Sequence, residues 1–286
     1  MKINADVLVP ENERIVREIG IPPCPQILME IMREVRKEDT SLKRISHLIS
    51  TDVGLSAAMV KTANSSFYGL RNKTTSVQGA LSAVGLRCAA NLIAGLMLRR
   101  AFASINHAAM VEFWDTTSKV SLTAAYLGRE LGVASINDAH TFALFRDCGA
   151  PLLMQKFPDY WGTMRSAGMD DAQDMADMEC ANYGTHHASV GATLAMSWHL
   201  PAEIGQSIQM HHENRELSQS TNTPNDKPAI LVSLGILADG IFRNYRDIPT
   251  SDHLDRESEL AYKTLCVTHE DLDPLQSDIK RILSGE

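Results

Sequence analysis

The chain has 286 residues, with 27 Lys and Arg against 35 Asp and Glu and a formal net charge of −8. A composition of 44% apolar and 22% charged residues is that of a globular chain able to bury a core, which excludes general disorder. The longest apolar stretches, near Leu92–Leu98 and Ala229–Ala238, fall well short of the roughly 18–20 residues that a membrane span requires.

In chain order, the opening MKINADVLVPENER has no apolar core of signal-peptide type, so a cytoplasmic protein is expected. Ile27, Leu28, Ile31, Met32 and Val35 then share one helical face behind the turn Pro22-Pro23-Cys24-Pro25. Leu42, Ile45, Leu48 and Ile49 repeat the pattern, with Thr40 or Ser41 placed to cap it. Asp52 caps a third helix, apolar at Leu55, Met59 and Val60 and ending near Asn64. Ser76 starts a fourth, stopped at Gly85, and Leu86–Phe102 reads as a helix buried on most sides.

Further helices are expected near 111–131, 138–156, 171–182, 187–199 and 201–213, with Pro201 well placed in a first turn. The stretch 214–227, whose only large apolar side chain is Leu217, reads as a surface loop. Ala229–Phe242 resumes a buried helix, and two shorter helices close the chain. No alternating strand of five or more residues occurs, so the fold class expected is all-α.

Charge is unevenly placed. Residues 1–110 carry a balance of +5 and residues 111–286 one of −13, and with Ser104-Ile105-Asn106 this suggests a boundary between two lobes near 104–111. The two halves are read as facing one another, and the basic half as a candidate contact surface, as is the loop 214–227. Without basic runs interleaved with aromatics, nucleic-acid binding is a minority reading. The acidic residues Asp170, Asp171, Asp174, Asp177 and Glu179 read as a solvated helix face, and the 13 methionines as core filler. Cys24, Cys88, Cys148, Cys180 and Cys266 form no CxxC pair and read as reduced thiols.

The chemistry-bearing residues cluster late. Five of the 10 histidines, His186, His187, His199, His211 and His212, lie between residues 186 and 212. Imidazole is the commonest side-chain metal ligand. Asp147 and Asp239 sit inside apolar helical runs, where a buried carboxylate needs a metal, an Arg or hydrogen-bond donors. Neighbours on a helix diverge by about 100°, so neither His186–His187 nor His211–His212 is expected to send both rings to one centre. There is no GxSxG, P-loop, GxGxxG or HExxH pattern, and Cys148 reads as a small buried residue rather than a nucleophile.

Several strings occur together in one order: Ile21-Pro22-Pro23-x-Pro25, Asp52-x-x-Leu55-Ser56, Ala63-Asn64-Ser65-x-Phe67-Tyr68-Gly69 and Val77-x-x-Ala80-Leu81-x-x-Val84-Gly85. Glu179, Gly184, His187-Ala188-x-Val190-Gly191, Trp198-x-Leu200-Pro201 and His211-His212 follow. With these the chain resembles the HDOD family, bacterial signalling modules related to the HD metal-dependent phosphohydrolases. The resemblance implies an all-α, two-lobed helical fold in which an amino-terminal bundle packs on an HD-like lobe, with Trp198 between the two. It places an amino-terminal extension at 1–19, an HDOD domain at 20–213 (lobes 20–107 and 108–213), a surface loop at 214–227 and carboxy-terminal helices at 228–286 that complete the second lobe.

HD hydrolases hold their metal with a His, a consecutive His-Asp pair and a later Asp. The resemblance maps these onto Thr116, Arg146-Asp147 and Asp239, so two of four ligands are replaced. A hydroxyl is a poor substitute for imidazole, and a guanidinium has no lone pair to donate and repels a cation. Arg146 is expected to point inward, pair with Asp239 or the neighbours of Asp147 and neutralise the pocket, the alternative being that it faces solvent. Thr116, Arg146, Asp147, His187, His211, His212 and Asp239 are thus candidates for a vestigial ligand pocket. No catalytic residue, metal or cofactor is expected.

The expected function is a non-catalytic regulatory module acting through contact with a signalling protein, with a nucleotide or other anionic small ligand as occupant of the pocket. No strand–helix alternation of receiver type occurs, so its input is expected from a separate partner or from a ligand bound directly. The alternative is a metal-dependent phosphohydrolase or phosphodiesterase with a displaced site on Asp147, His187, His211, His212 and Asp239.

Overall fold

The structure, a computed structural model, describes residues 18–64, 70, 72–105, 108–166, 172–212, 226–249 and 252–284. Among them there are helices and turns and no strand, so the chain is all-α. The first five helices are α1 (Gln26–Val35), α2 (Leu42–Ser50), α3 (Val53–Ala63), α4 (Val77–Val84) and α5 (Leu86–Ala101). Ser41, Asp52 and Ser76 occupy the N-caps of α2, α3 and α4, where their side-chain oxygens accept the otherwise orphaned N–H groups of Arg44, Leu55 and Gly79. Asp52 also accepts two N–H groups from Arg100 on α5, one at 2.9 Å, which ties the start of α3 to the end of α5. That fork holds the Asp52 carboxyl well below the usual carboxylate range. Gly85, at φ +82°, lets the chain turn 114° between α4 and α5 in a single residue.

The remaining helices are α6 (Ala109–Glu130), α7 (Ile136–Phe145), α8 (Gly149–Lys156), α9 (Tyr160–Ser166), α10 (Ala172–Tyr183), α11 (His187–Ser197) and α12 (Ala202–Met210). After them come α13 (Lys227–Tyr245), α14 (Asp252–Leu265), α15 (His269–Leu272) and α16 (Gln276–Ser284), with a 3₁₀ turn at Asp273–Leu275. Here α6 packs on α7 and α13, α11 on α8 and α12, and α13 on α14, while α5 against α7 joins the amino-terminal bundle to this layer. Among the described residues no single helix is long and apolar enough to cross a membrane.

The helix expected over 138–156 is two. Cys148 N–H bonds back to Phe145 O at 3.0 Å, closing a tight turn that ends α7 and re-aims the chain into α8. Gly149 is what allows α8 to seat: a Cβ there would lie 2.0 Å from the His187 carbonyl oxygen and 2.8 Å from Gly191 N. Backbone therefore touches backbone between α8 and α11. The short helix α9 lacks an apolar period long enough to be read from sequence. Three helices and a 3₁₀ turn stand at the carboxy terminus in place of two helices. The motif residues Ser65–Gly69, most of the 214–227 loop and most of the 1–19 extension lie outside the described residues.

Trp198 is wholly buried where the bundle meets the second layer. Its indole N–H donates to Pro22 O at 3.0 Å, and Phe145 meets its ring edge-on at 6.2 Å. His199 takes φ 58°, which closes the end of α11 and turns its carbonyl toward Arg36 Nη2 at 3.0 Å. The Pro-rich turn before α1 is thus fastened to the turn before α12.

Candidate functional site

Thr116, Arg146, Asp147, His187, His211, His212 and Asp239 all line one cavity of about 530 Å³. They come from α6, the α7–α8 turn, the start of α11, the turn after α12, and α13, so five separate stretches of chain converge. Thr116 is half-buried on α6.

Arg146 points inward, with 16% of its side chain exposed. Its Nε and Nη2 donate to Asp147 Oδ2 at 3.0 and 2.9 Å, Nη1 reaches Gly235 O at 3.4 Å, and Nη2 lies 3.5 Å from Asp239 Oδ1. Asp239 is held from its other side by Arg243 Nε at 2.9 Å, one helical turn on. The guanidinium thus stands between the two carboxylates. Burial opposes the charge on Asp147, but Arg146 and then His211 hold that carboxyl well below its ordinary value. The four-ligand arrangement of HD hydrolases does not fit here. Where the resemblance implies one of its imidazoles stands a guanidinium bonded to Asp147 Oδ2 and 3.5 Å from Asp239 Oδ1.

The histidines lie on the other oxygen of Asp147. His187, the first residue of α11, has Nδ1 2.7 Å from Glu179 Oε2, and the same oxygen accepts the His187 backbone N–H at 2.8 Å. His187 Nε2 faces His212 Nε2 at 2.7 Å, His211 Nε2 at 3.3 Å and Asp147 Oδ1 at 3.6 Å. His211 Nδ1 lies 2.6 Å from Ile208 O, and its Nε2 is 3.3 Å from Asp147 Oδ1. Burial disfavours the imidazolium at all three rings. It leaves His211 lowered and His212 well below the ordinary range, whereas at His187 the Glu179 carboxylate overrides it and raises the pKa.

The expectation that His211 and His212 diverge is corrected by the structure: their ring centroids are 4.0 Å apart and both meet His187. The reason is that α12 ends at Met210, so the pair sits in a turn where the 100° rule of a continuous helix no longer applies. For His186–His187 the expected divergence is observed, His186 bonding Ser189 Oγ at 2.9 Å instead. Cys148 is fully buried, and burial raises its thiol pKa far from reactivity.

Two residues of the site escaped the sequence reading. Glu179 was read as part of a solvated face, yet it is fully buried and orients His187 while accepting the hydroxyl of Tyr160. Its eight-residue offset from His187 carries no helical signal, because the turn at Gly184, φ +72°, separates α10 from α11. Tyr160 enters from α9, and nothing in its local pattern marks it.

Comparison with known proteins adds to this geometry. An uncharacterised protein from Treponema pallidum (strain Nichols) is 28% identical over 195 residues, which cover 67% of this chain and 37% of that relative. The chain therefore spans little more than a third of that relative's length. Among solved structures, an HDOD domain protein of unknown function from Geobacter sulfurreducens superposes with a TM-score of 0.70 at 19% identity, over 96% of both chains. A candidate signal transduction protein from Marinobacter aquaeolei VT8 gives 0.70 at 19% identity, over 96% of this chain and 63% of that one. A candidate phosphohydrolase from Shewanella amazonensis SB2B gives 0.66 at 21%, over 96% and 98%. These likenesses show the shared fold. The HDOD domain profile matches residues 21–214, about two thirds of the chain and every one of the motifs that suggested it, and the chain belongs to the HDOD domain family.

Proposed function

We propose that this chain is a non-catalytic signalling module that acts through contact with a partner protein and uses its central pocket to sense a small anionic ligand. The observation that supports this most is the guanidinium of Arg146 between Asp147 and Asp239. A hydrolytic metal centre needs open carboxylate and imidazole lone pairs around a cation with a vacant position, and a permanent organic cation is the opposite of that. The Thr116 and Thr117 hydroxyls and Arg243 offer donors along the cavity, and Phe113 and Trp161 give it aromatic wall, a combination suited to a nucleotide-like anion.

The competing reading, a metal-dependent phosphohydrolase or phosphodiesterase, draws on the convergence of His187, His211 and His212 beside Asp147. One experiment separates them. The full chain is assayed against cyclic dinucleotides and phosphomonoesters with added Mn²⁺, Fe²⁺ or Ni²⁺, and in parallel titrated calorimetrically with the same nucleotides. Saturable binding without turnover is the expected result. Turnover that disappears in Asp147→Asn would replace the regulatory reading with the hydrolytic one.

A further inference from the structure

Hydrogen-bond accounting in the histidine cluster leaves too many acceptors in one place. Glu179 accepts the His187 backbone N–H on Oε2 and the Tyr160 hydroxyl on Oε1, so the carboxyl acts as an acceptor and the His187 ring presents N–H to it from Nδ1. A carbonyl oxygen also only accepts, so His211 must present N–H from Nδ1 to Ile208 O. In their neutral forms, the ones that can ligate a metal, both rings then turn an Nε2 lone pair inward, toward Asp147 Oδ1, itself an acceptor. His212 donates its Nε2–H to His187 at 2.7 Å, and its Nδ1 is then a buried lone pair with no hydrogen-bond partner among the described residues. His187 Nε2, His211 Nε2 and Asp147 Oδ1 thus converge on one point, where a shared ring proton or a bound cation satisfies them.

The spacing specifies the kind of cation. A tetrahedral centre with ligand bonds of about 2.0–2.1 Å places its ligand atoms roughly 3.3–3.4 Å apart. The triangle His187 Nε2, His211 Nε2 and Asp147 Oδ1 has edges of 3.3, 3.3 and 3.6 Å. His212 Nε2 supplies a fourth corner once its proton passes to Nδ1 and its contact with His187 opens by a fraction of an ångström. The outer nitrogens of His187 and His211 are held by Glu179 and a carbonyl, the arrangement that fixes the tautomer and aim of metal-binding imidazoles.

Arg146 does not block this face, because it uses Asp147 Oδ2 and leaves Oδ1 to the histidines. Nor does local charge oppose a cation: Asp147, Asp239 and Glu179 outnumber Arg146 and Arg243 by one.

We propose that His187, His211 and His212, with Asp147 Oδ1, form a closed mononuclear site for a first-row divalent transition cation. It shares Asp147 with the four-ligand position that the resemblance implies, but uses Oδ1, the oxygen that Arg146 leaves free. The nitrogen-rich donor set favours Zn²⁺, Co²⁺ or Ni²⁺ over Mg²⁺ and Ca²⁺, which prefer oxygen ligands. Its three rings are buried and protein ligands take all four positions, so its role is to lock α11 to the turn after α12 rather than to activate water. This inference stands apart from the regulatory reading.

The test uses untagged full-length protein purified without chelator. Elemental analysis should find about one equivalent of a transition metal. After chelator stripping, Co²⁺ should restore the melting temperature and give the intense visible bands of a tetrahedral centre, whereas Mg²⁺ should do neither. His212→Gln removes a ring whose Nδ1 has no partner, so it should fold, and Glu179→Gln retains the size of the side chain. Each should weaken Co²⁺ affinity by about 10- to 100-fold. Metal far below one equivalent with no Co²⁺ spectrum overturns the site, as does Co²⁺ affinity unchanged in both variants, which would place the ion elsewhere. Bound metal without phosphoester turnover leaves the regulatory reading intact. Turnover with metal bound overturns that reading and keeps the site.

Discussion

Replacing Arg146 by Ala tests the central electrostatic claim. The variant removes a fork of two hydrogen bonds to Asp147, a contact to Gly235 O and the charge facing Asp239. Removing one member of a buried ion pair costs about 3–5 kcal/mol, because the other is left desolvated and alone. Asp239 is 14% exposed and fits that case, but Asp147 keeps 31% of its side chain open to the cavity, where water can solvate it. A loss of about 2–3 kcal/mol is therefore expected, which at roughly 2–4 °C per kcal/mol lowers the melting temperature by about 5–10 °C. The assay is thermal unfolding followed by circular dichroism on chelator-treated protein, so that bound metal does not mask the change. Arg146→Lys should fall between the two, since it keeps the charge and loses the planar fork. The double variant Arg146→Ala, Asp239→Asn should recover part of the loss, the two changes being non-additive because they share one pair. A melting temperature for Arg146→Ala within about 1 °C of the parent would refute the pairing and place the guanidinium in solvent.

Gly149→Ala should destabilise the chain by about 3 kcal/mol or more, because its Cβ would fall 2.0 Å from the His187 carbonyl; an unchanged denaturant midpoint would show that α8 and α11 are not in backbone contact. Tyr160→Phe leaves a fully buried Glu179 oxygen without its hydroxyl partner, and urea unfolding should show a loss of about 1–3 kcal/mol. Asp52→Asn should cost about 1 kcal/mol near neutral pH, a discounted figure because both partners are partly exposed. The Asp52 pKa is depressed on folding, so its contribution is present above its unfolded value of about 3.9 and fades as pH falls below that. The melting-temperature gap between parent and Asp52→Asn should accordingly narrow from pH 7 to pH 3, and a constant gap would contradict the assignment.

Most of the helices were legible because their signals are local. Ser41, Asp52 and Ser76 cap where they were expected to, and the apolar period of Ile27 to Val35 matches α1. The pocket residues could be named because Asp147 and Asp239 are out of place in apolar runs, and because the family resemblance pointed to Thr116 and Arg146. What could not be read were relations set by tertiary approach. Glu179 looks solvated on its own helix and becomes buried only when Tyr160 and His187 close over it. The convergence of His211 with His212 depends on α12 stopping at Met210, and no cap residue there announces the stop. The break at Arg146–Cys148 reflects the needs of α8 against α11, a contact between segments some forty residues apart.

The helix α12 has nine residues, about 13 Å of rise. At one end is the Trp198–Leu200 turn that grips Pro22 and Arg36, and at the other are His211 and His212. A helix this short does not bend appreciably, so it behaves as a strut pinned at both ends. A displacement of the histidine pair along that axis has to be taken up at the tryptophan, where the amino-terminal bundle is anchored. The chain therefore carries a mechanical route from the floor of its cavity to the seat of a whole bundle, built from one rigid element and two fastened turns.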